Sequence, residues 1–116
     1  MVIQLDGCRL TSSSLPDGSM MVAISGELDT LNAHQLGQIL CDIADGGDLI
    51  LDLAEVRFID SSGLRALVRV ACATRDAGRS LRLVQVTSRT SKLIEIAGLA
   101  AVLTSTTQIG SVGRMP

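Results

Sequence analysis

Alternating and helical patterns of apolar residues follow one another along the chain. Residues 2–10 read as a short strand, and residues 11–19, rich in Ser with Pro16, Asp17 and Gly18, read as a turn. Residues 20–25 place Met20, Val22 and Ile24 on one face at a period of two, so the two strands predict an N-terminal hairpin. Gly26-Glu27-Leu28-Asp29 closes it. A helix is predicted over residues 32–44, with Asn32 as its cap, Gln35 completing a capping box, and Ala33, Leu36, Leu40 and Ile43 on one face. Residues 49–53 are almost continuously apolar, as in a strand covered on both faces. Phe58-Ile59 extends this buried stretch up to Asp60-Ser61-Ser62-Gly63. From Leu64 the period becomes helical, with Leu67, Val68, Ala71 and Cys72 in one stripe running toward Gly78. Residues 81–86 predict a strand and residues 88–97 a helix that turns Leu93, Ile94 and Ala97 inward. Gly98 is the stop, with Leu99 folding back on the last turn. Residues 101–103 read as a last strand and residues 105–116 as a polar, partly disordered tail. The order β-β-α-β-α-β-α-β predicts one α/β domain over residues 1–104, a small mixed sheet with helices packed against it.

Composition narrows what such a domain can do. A chain of 116 residues that is 47% hydrophobic and 19% charged has material for a single packed core. One Phe and no Tyr or Trp leave no aromatic platform for stacking nucleic-acid bases. A net charge of −2 gives no general attraction to phosphate backbones, and nine of the ten basic residues are scattered arginines. No apolar run is long enough to span a bilayer, and the N-terminus lacks a signal layout. Cys8, Cys41 and Cys72 form neither a disulfide framework nor a zinc or redox motif, which points to a reduced, cytoplasmic protein, with Cys41 and Cys72 on or beside apolar helix faces as small core residues. His34, the single histidine, reads as a surface residue and removes most metal sites. No metal or cofactor is expected. A serine hydrolase is disfavoured, because the Gly-x-Ser-x-Gly elbow is absent and His34 would have to be the only base.

The informative element is residues 58–64, Phe58-Ile59-Asp60-Ser61-Ser62-Gly63-Leu64, a strand that runs into a helix start bearing two hydroxyls and a carboxylate. Helix N-termini present unpaired N–H groups and a partial positive charge. Ser61 falls at or near the cap, and Gly63 carries no side chain to obstruct an approaching group. A phosphate on Ser61 would be met by N–H donors, although Asp and Ser are also simply the commonest caps.

Gly26-Glu27-Leu28-Asp29, residues 49–53, the Asp60-Ser61-Ser62-Gly63 element and Ala97-Gly98-Leu99 together resemble the STAS domain, the sulfate transporter and anti-sigma factor antagonist family, over residues 5–104. The resemblance implies a free-standing anti-sigma factor antagonist, not an enzyme. It would bind an anti-sigma factor that is also a serine kinase, release on phosphorylation of Ser61, and be reset by a PP2C-type phosphatase. Asp29, Asp60, Ser62, Gly63, Leu64 and Arg65 would form the binding face, with Gly63 leaving room for the kinase's nucleotide end. The alternative is a STAS subunit of an ABC-type lipid transport complex that binds its ATPase. The helix after the motif carries a second apolar stripe, Ala66, Val70, Ala73 and Ala77, that fits either an internal neighbour or a partner. Relatives often end with a further amphipathic helix. The tail here is too rich in glycine for a long one, so exposed apolar surface could be covered by a second copy in a homodimer.

Overall fold

The computed structural model describes residues 1–98 and 107–110. Its order is β1 (Val2–Leu5), β2 (Cys8–Ser14), β3 (Met20–Leu28), α1 (Ala33–Asp45), β4 (Leu49–Ile59), α2 (Ser61–Asp76), β5 (Leu81–Val84), α3 (Ser88–Ile96) and β6 (Thr107–Gly110). The six strands form one mixed sheet in chain order, antiparallel from β1 to β3 and parallel from β3 to β6.

Period-two reading treats residues 2–10 as one strand, but the chain reverses at Asp6-Gly7, so that Leu5 pairs with Cys8. Gly7 has φ +84°, a conformation glycine adopts without steric cost. An Asp-Gly pair is a strong hairpin signal, and it marks this reversal in the sequence. β6 lies in the stretch read as polar tail, while the strand expected at residues 101–103 and the fold-back of Leu99 lie outside the described residues. Gly98 has φ +74°, as the predicted helix stop requires.

The parallel strands step across the sheet in one direction without reversal. Crossovers of this kind are right-handed, which sends every connecting helix to the same face. The sheet is therefore covered on one side. Leu49, Leu51 and Leu53 are buried under the helices, while Ile50 and Asp52 on the other side are only half-buried. The expectation that residues 49–53 are covered on both faces does not hold, and an aspartate in that run is consistent with a solvent face. Phe58, expected to be buried, is 49% exposed. Register shifts between β3 and β4 near Ala23–Ser25 and Gly26–Glu27 break simple alternation before Phe58 is reached.

The core joins Val22 and Ile24 of β3, Leu36 and Leu40 of α1, the β4 leucines, Leu67, Val70 and Ala71 of α2, and Leu83 of β5. The second stripe of α2 divides. Ala66 and Val70 are buried, Ala73 is half-buried and Ala77 is exposed. α1 packs on α2, and a Cβ built on Gly37 would lie 3.7 Å from Ala66 Cβ. The stripe is therefore largely an internal helix contact rather than a partner surface.

Cys8 is buried and Cys41 and Cys72 half-buried, all as free thiols. Burial pushes the Cys8 thiol above its ordinary pKa, with the Asp29 carboxylate adding to the shift, and burial also raises Cys41 against the opposing pull of Arg69. In the unfolded chain thiols ionise near about pH 8.5. Above that pH the unfolded state has lost protons that the folded state keeps, so stability falls as pH rises. The urea midpoint is expected to decline above about pH 8.5, and less steeply in Cys8→Ala. A flat profile would contradict it.

Candidate functional site

The parallel strands β3 and β4 end side by side, and the segments that leave them meet at one end of the sheet. The Asp60 amide donates to Leu28 O at 3.1 Å, which ties the end of β4 to the end of β3. Asp60 is the N-cap of α2: its Oδ1 accepts from the Gly63 amide at 3.0 Å, and its carbonyl accepts from the Leu64 amide at 3.0 Å. Ser61 is thus the first residue of the helix rather than its cap. Ser61 is exposed, with no hydrogen bond from its hydroxyl to the described residues. Ser62 turns the other way, its Oγ 3.4 Å from Thr30 Oγ1. That contact sets the β3–α1 turn against the first turn of α2.

Gly63 has a different job from the one expected. It is buried, and a Cβ there would lie 2.6 Å from Leu28 O and 2.8 Å from both Leu28 Cβ and Ile59 Cγ1. Its missing side chain lets α2 start directly on the strand ends and leaves no space for an incoming group. Gly63→Ala should destabilise the domain by about 1–3 kcal/mol despite alanine's better helix propensity, because backbone has to move. Urea unfolding checks this, and a variant as stable as the parent would contradict the contact. Leu64 is also buried, 4% exposed, so Ser61 and Arg65 carry the outward surface of this turn.

Asp29 is half-buried, and its Oδ1 accepts from the Leu31 amide at 3.1 Å. Its carbonyl accepts from the amides of Asn32 and Ala33. The predicted capping box of Asn32 and Gln35 is absent. The Asn32 side chain is 1% exposed and points back under the sheet end. Its Nδ2 donates to Asp6 O at 2.6 Å and Glu27 O at 2.8 Å, and its Oδ1 accepts from the Asp29 amide at 3.2 Å. Asn32 therefore clamps the β1–β2 turn, the end of β3 and the start of α1 together. The Gly26-Glu27-Leu28-Asp29 segment is shaped by the same region. Gly26 has φ +102°, and a Cβ on it would collide with Gly7 O. Leu31, at the tip of this turn, is 75% exposed.

Two hollows flank the element. One, of about 280 Å³, is bordered by Ser61, Leu64, Arg65, Val68 and Ala97. The other, of about 300 Å³, lies between α1 and α2, where the cationic Arg65 and Arg69 and the imidazole of His34 line it with Thr30, Ser62, Ala33 and Ala66. Arg65 borders both. His34 is exposed as expected. Thr30 and Arg69 are site neighbours that sequence reasoning passed over. The signal for Arg69 is its spacing four residues beyond Arg65, which puts both cations on one helix face. Among the described residues no His, Cys, Asp or Glu cluster could hold a metal ion, and no helix is long and apolar enough to cross a membrane.

A family model described as "Mlab, STAS domain" matches residues 11–105. The anti-sigma-B factor antagonist of Bacillus subtilis is 32% identical over 88 residues, covering 75% of this chain and 81% of that protein. The crystal structure of an anti-sigma factor antagonist from Mycobacterium paratuberculosis superposes with a TM-score of 0.72 at 24% identity, covering 90% of this chain and 86% of that one. The Bacillus cell fate determinant SpoIIAA in its phosphorylated form superposes with a TM-score of 0.65 at 14% identity, covering 88% of this chain and 91% of that one.

Proposed function

The chain belongs to the STAS domain family, and from that membership we propose that it is an anti-sigma factor antagonist that binds an anti-sigma factor serine kinase and is switched off when that kinase phosphorylates Ser61. The role is one of binding rather than catalysis. The observation that carries the reading is the Ser61 hydroxyl, exposed and without a hydrogen-bond partner among the described residues, on the first residue of a helix whose cap is already supplied by Asp60. Such a hydroxyl is open to an enzyme and costs no internal contact when modified. The neighbour known in a phosphorylated form shares the fold, and the relative named as an antagonist covers most of the chain. Asp60, Ser62 and Arg65 would contribute to the binding face as the acceptor's helix neighbours, and Asp29 from the turn whose Thr30 meets Ser62, while Gly63 and Leu64 act beneath by holding α2 on the strand ends. A PP2C-type phosphatase would restore the active form.

Incubation with candidate kinase-type anti-sigma factors and ATP, followed by mass mapping, should place one phosphate on Ser61 and none on the Ser61→Ala protein. A Ser61→Ala protein still released by kinase and ATP would overturn the reading. So would stable copurification with an ABC-type ATPase while Ser61 stays unmodified under every condition.

A further inference from the structure

The groove between α1 and α2 brings together cations that make no ion pair with a described residue. Arg65 and Arg69 are exposed, and neither makes an ion pair with a described residue; the ion pair present joins Arg75 to Asp76. No carboxylate lines the groove. Residues 99–106 and 111–116 contain no Asp or Glu, so none of their side chains can neutralise these guanidinium groups. This runs against the chain as a whole, whose net charge is −2. The α1 and α2 N-termini add partial positive charge to the same hollow. Ala33 and Ala66, both buried, complete its lining, and Leu31, 75% exposed, stands in the turn beside it. A hollow of about 300 Å³ has room for one or two side chains of a partner.

We infer that this groove receives an acidic segment of the partner protein, whose carboxylates pair with Arg65 and Arg69 while an apolar neighbour meets the exposed Leu31. The inference deepens the proposed function and rests on it for the identity of the partner, since it supplies the partner's chemistry at the face next to Ser61. Arginine suits the task, because its planar fork pairs with a carboxylate through two parallel hydrogen bonds. Opposite charge placed here governs register and encounter rate as well as affinity.

The test needs no kinase. The isotope-labelled protein is titrated with a short peptide of Glu-Glu-Leu-Ala repeats, with its Lys-for-Glu counterpart, and with inorganic phosphate, and backbone amide shifts are followed by NMR. The acidic peptide should shift the amides of Thr30, His34, Ser62, Arg65 and Arg69, with binding that weakens severalfold as salt is raised. Arg65→Gln combined with Arg69→Gln should weaken it by about tenfold or more, whereas Arg79→Gln, a change at an exposed arginine outside the groove, should leave it unchanged. Shifts of equal size with the basic peptide, shifts elsewhere on the surface, or phosphate binding as tightly as the acidic peptide would each overturn the inference. Because this measurement is independent of Ser61 modification, absence of a Ser61 phosphate would remove the proposed switch and leave the groove result standing, and the reverse holds equally.

Discussion

A phosphate on Ser61 is expected to weaken the complex with the anti-sigma factor by about two to three orders of magnitude while leaving the domain folded. The group adds about −1.5 to −2 charge at neutral pH. It would stand next to the Asp60 carboxylate, which is fixed by its bond to the Gly63 amide. Like charges about 4 Å apart repel by ~1 kcal/mol in water and by ~4 kcal/mol at an effective dielectric of 20, the regime of a half-desolvated interface. Each ~1.4 kcal/mol is a factor of ten in affinity. The same phosphate costs the free domain little, because Ser61 is exposed and its helix start carries partial positive charge. Titration calorimetry with unmodified, phosphorylated and Ser61→Ala protein separates these effects. The alanine variant should bind like the unmodified form, and the phosphorylated protein should keep its urea midpoint. Equal affinity of the phosphorylated and unmodified forms would contradict the electrostatic account.

The second large effect is expected at a residue that never meets the partner. Asn32→Ala should lower stability by about 2–4 kcal/mol, because it leaves Asp6 O, Glu27 O and the Asp29 amide without their buried partner. That is a large share of the roughly 5–15 kcal/mol that holds a typical domain together. Asn32→Asp is the sharper variant. It keeps the shape but replaces the donor that faces two carbonyls with an oxygen, so it should be no better than alanine near neutral pH and should recover in part as the acid protonates. Urea titrations across pH check both. The binding effect should follow, since Asn32 fixes the turn that carries Asp29 and Thr30 against Ser62. Variants that unfold like the parent would show that the clamp carries no load.

Much of this arrangement can be read from residues in order. The helical stripes of α1 and α2, the strand at residues 49–53 and the stop at Gly98 follow from period and glycine placement, and the structure has them. The Asp60-Ser61-Ser62-Gly63 element is legible as a helix start because an acid precedes a helical stripe. What period cannot show is direction in space. Asn32 is a good cap by residue type, yet two carbonyls from segments separated in sequence compete for its amide and win. Gly63 offers the same lesson, since open solvent and a backbone carbonyl against its Cα look identical in a sequence. Coverage of the sheet on one face follows from strand order, a tertiary property that the run at residues 49–53 does not encode. The groove cations are visible as letters, but that no carboxylate lines the groove with them emerges only when the two helices are brought together.

Arg65 borders both the hollow under Ser61 and the groove between the helices. One turn of helix separates it from Ser61, so a phosphate there becomes a tethered rival for the guanidinium, present at an effective concentration in the millimolar range however dilute the protein is. Release would then need no competitor from solution, because the rival for the guanidinium travels with the very domain that has been modified.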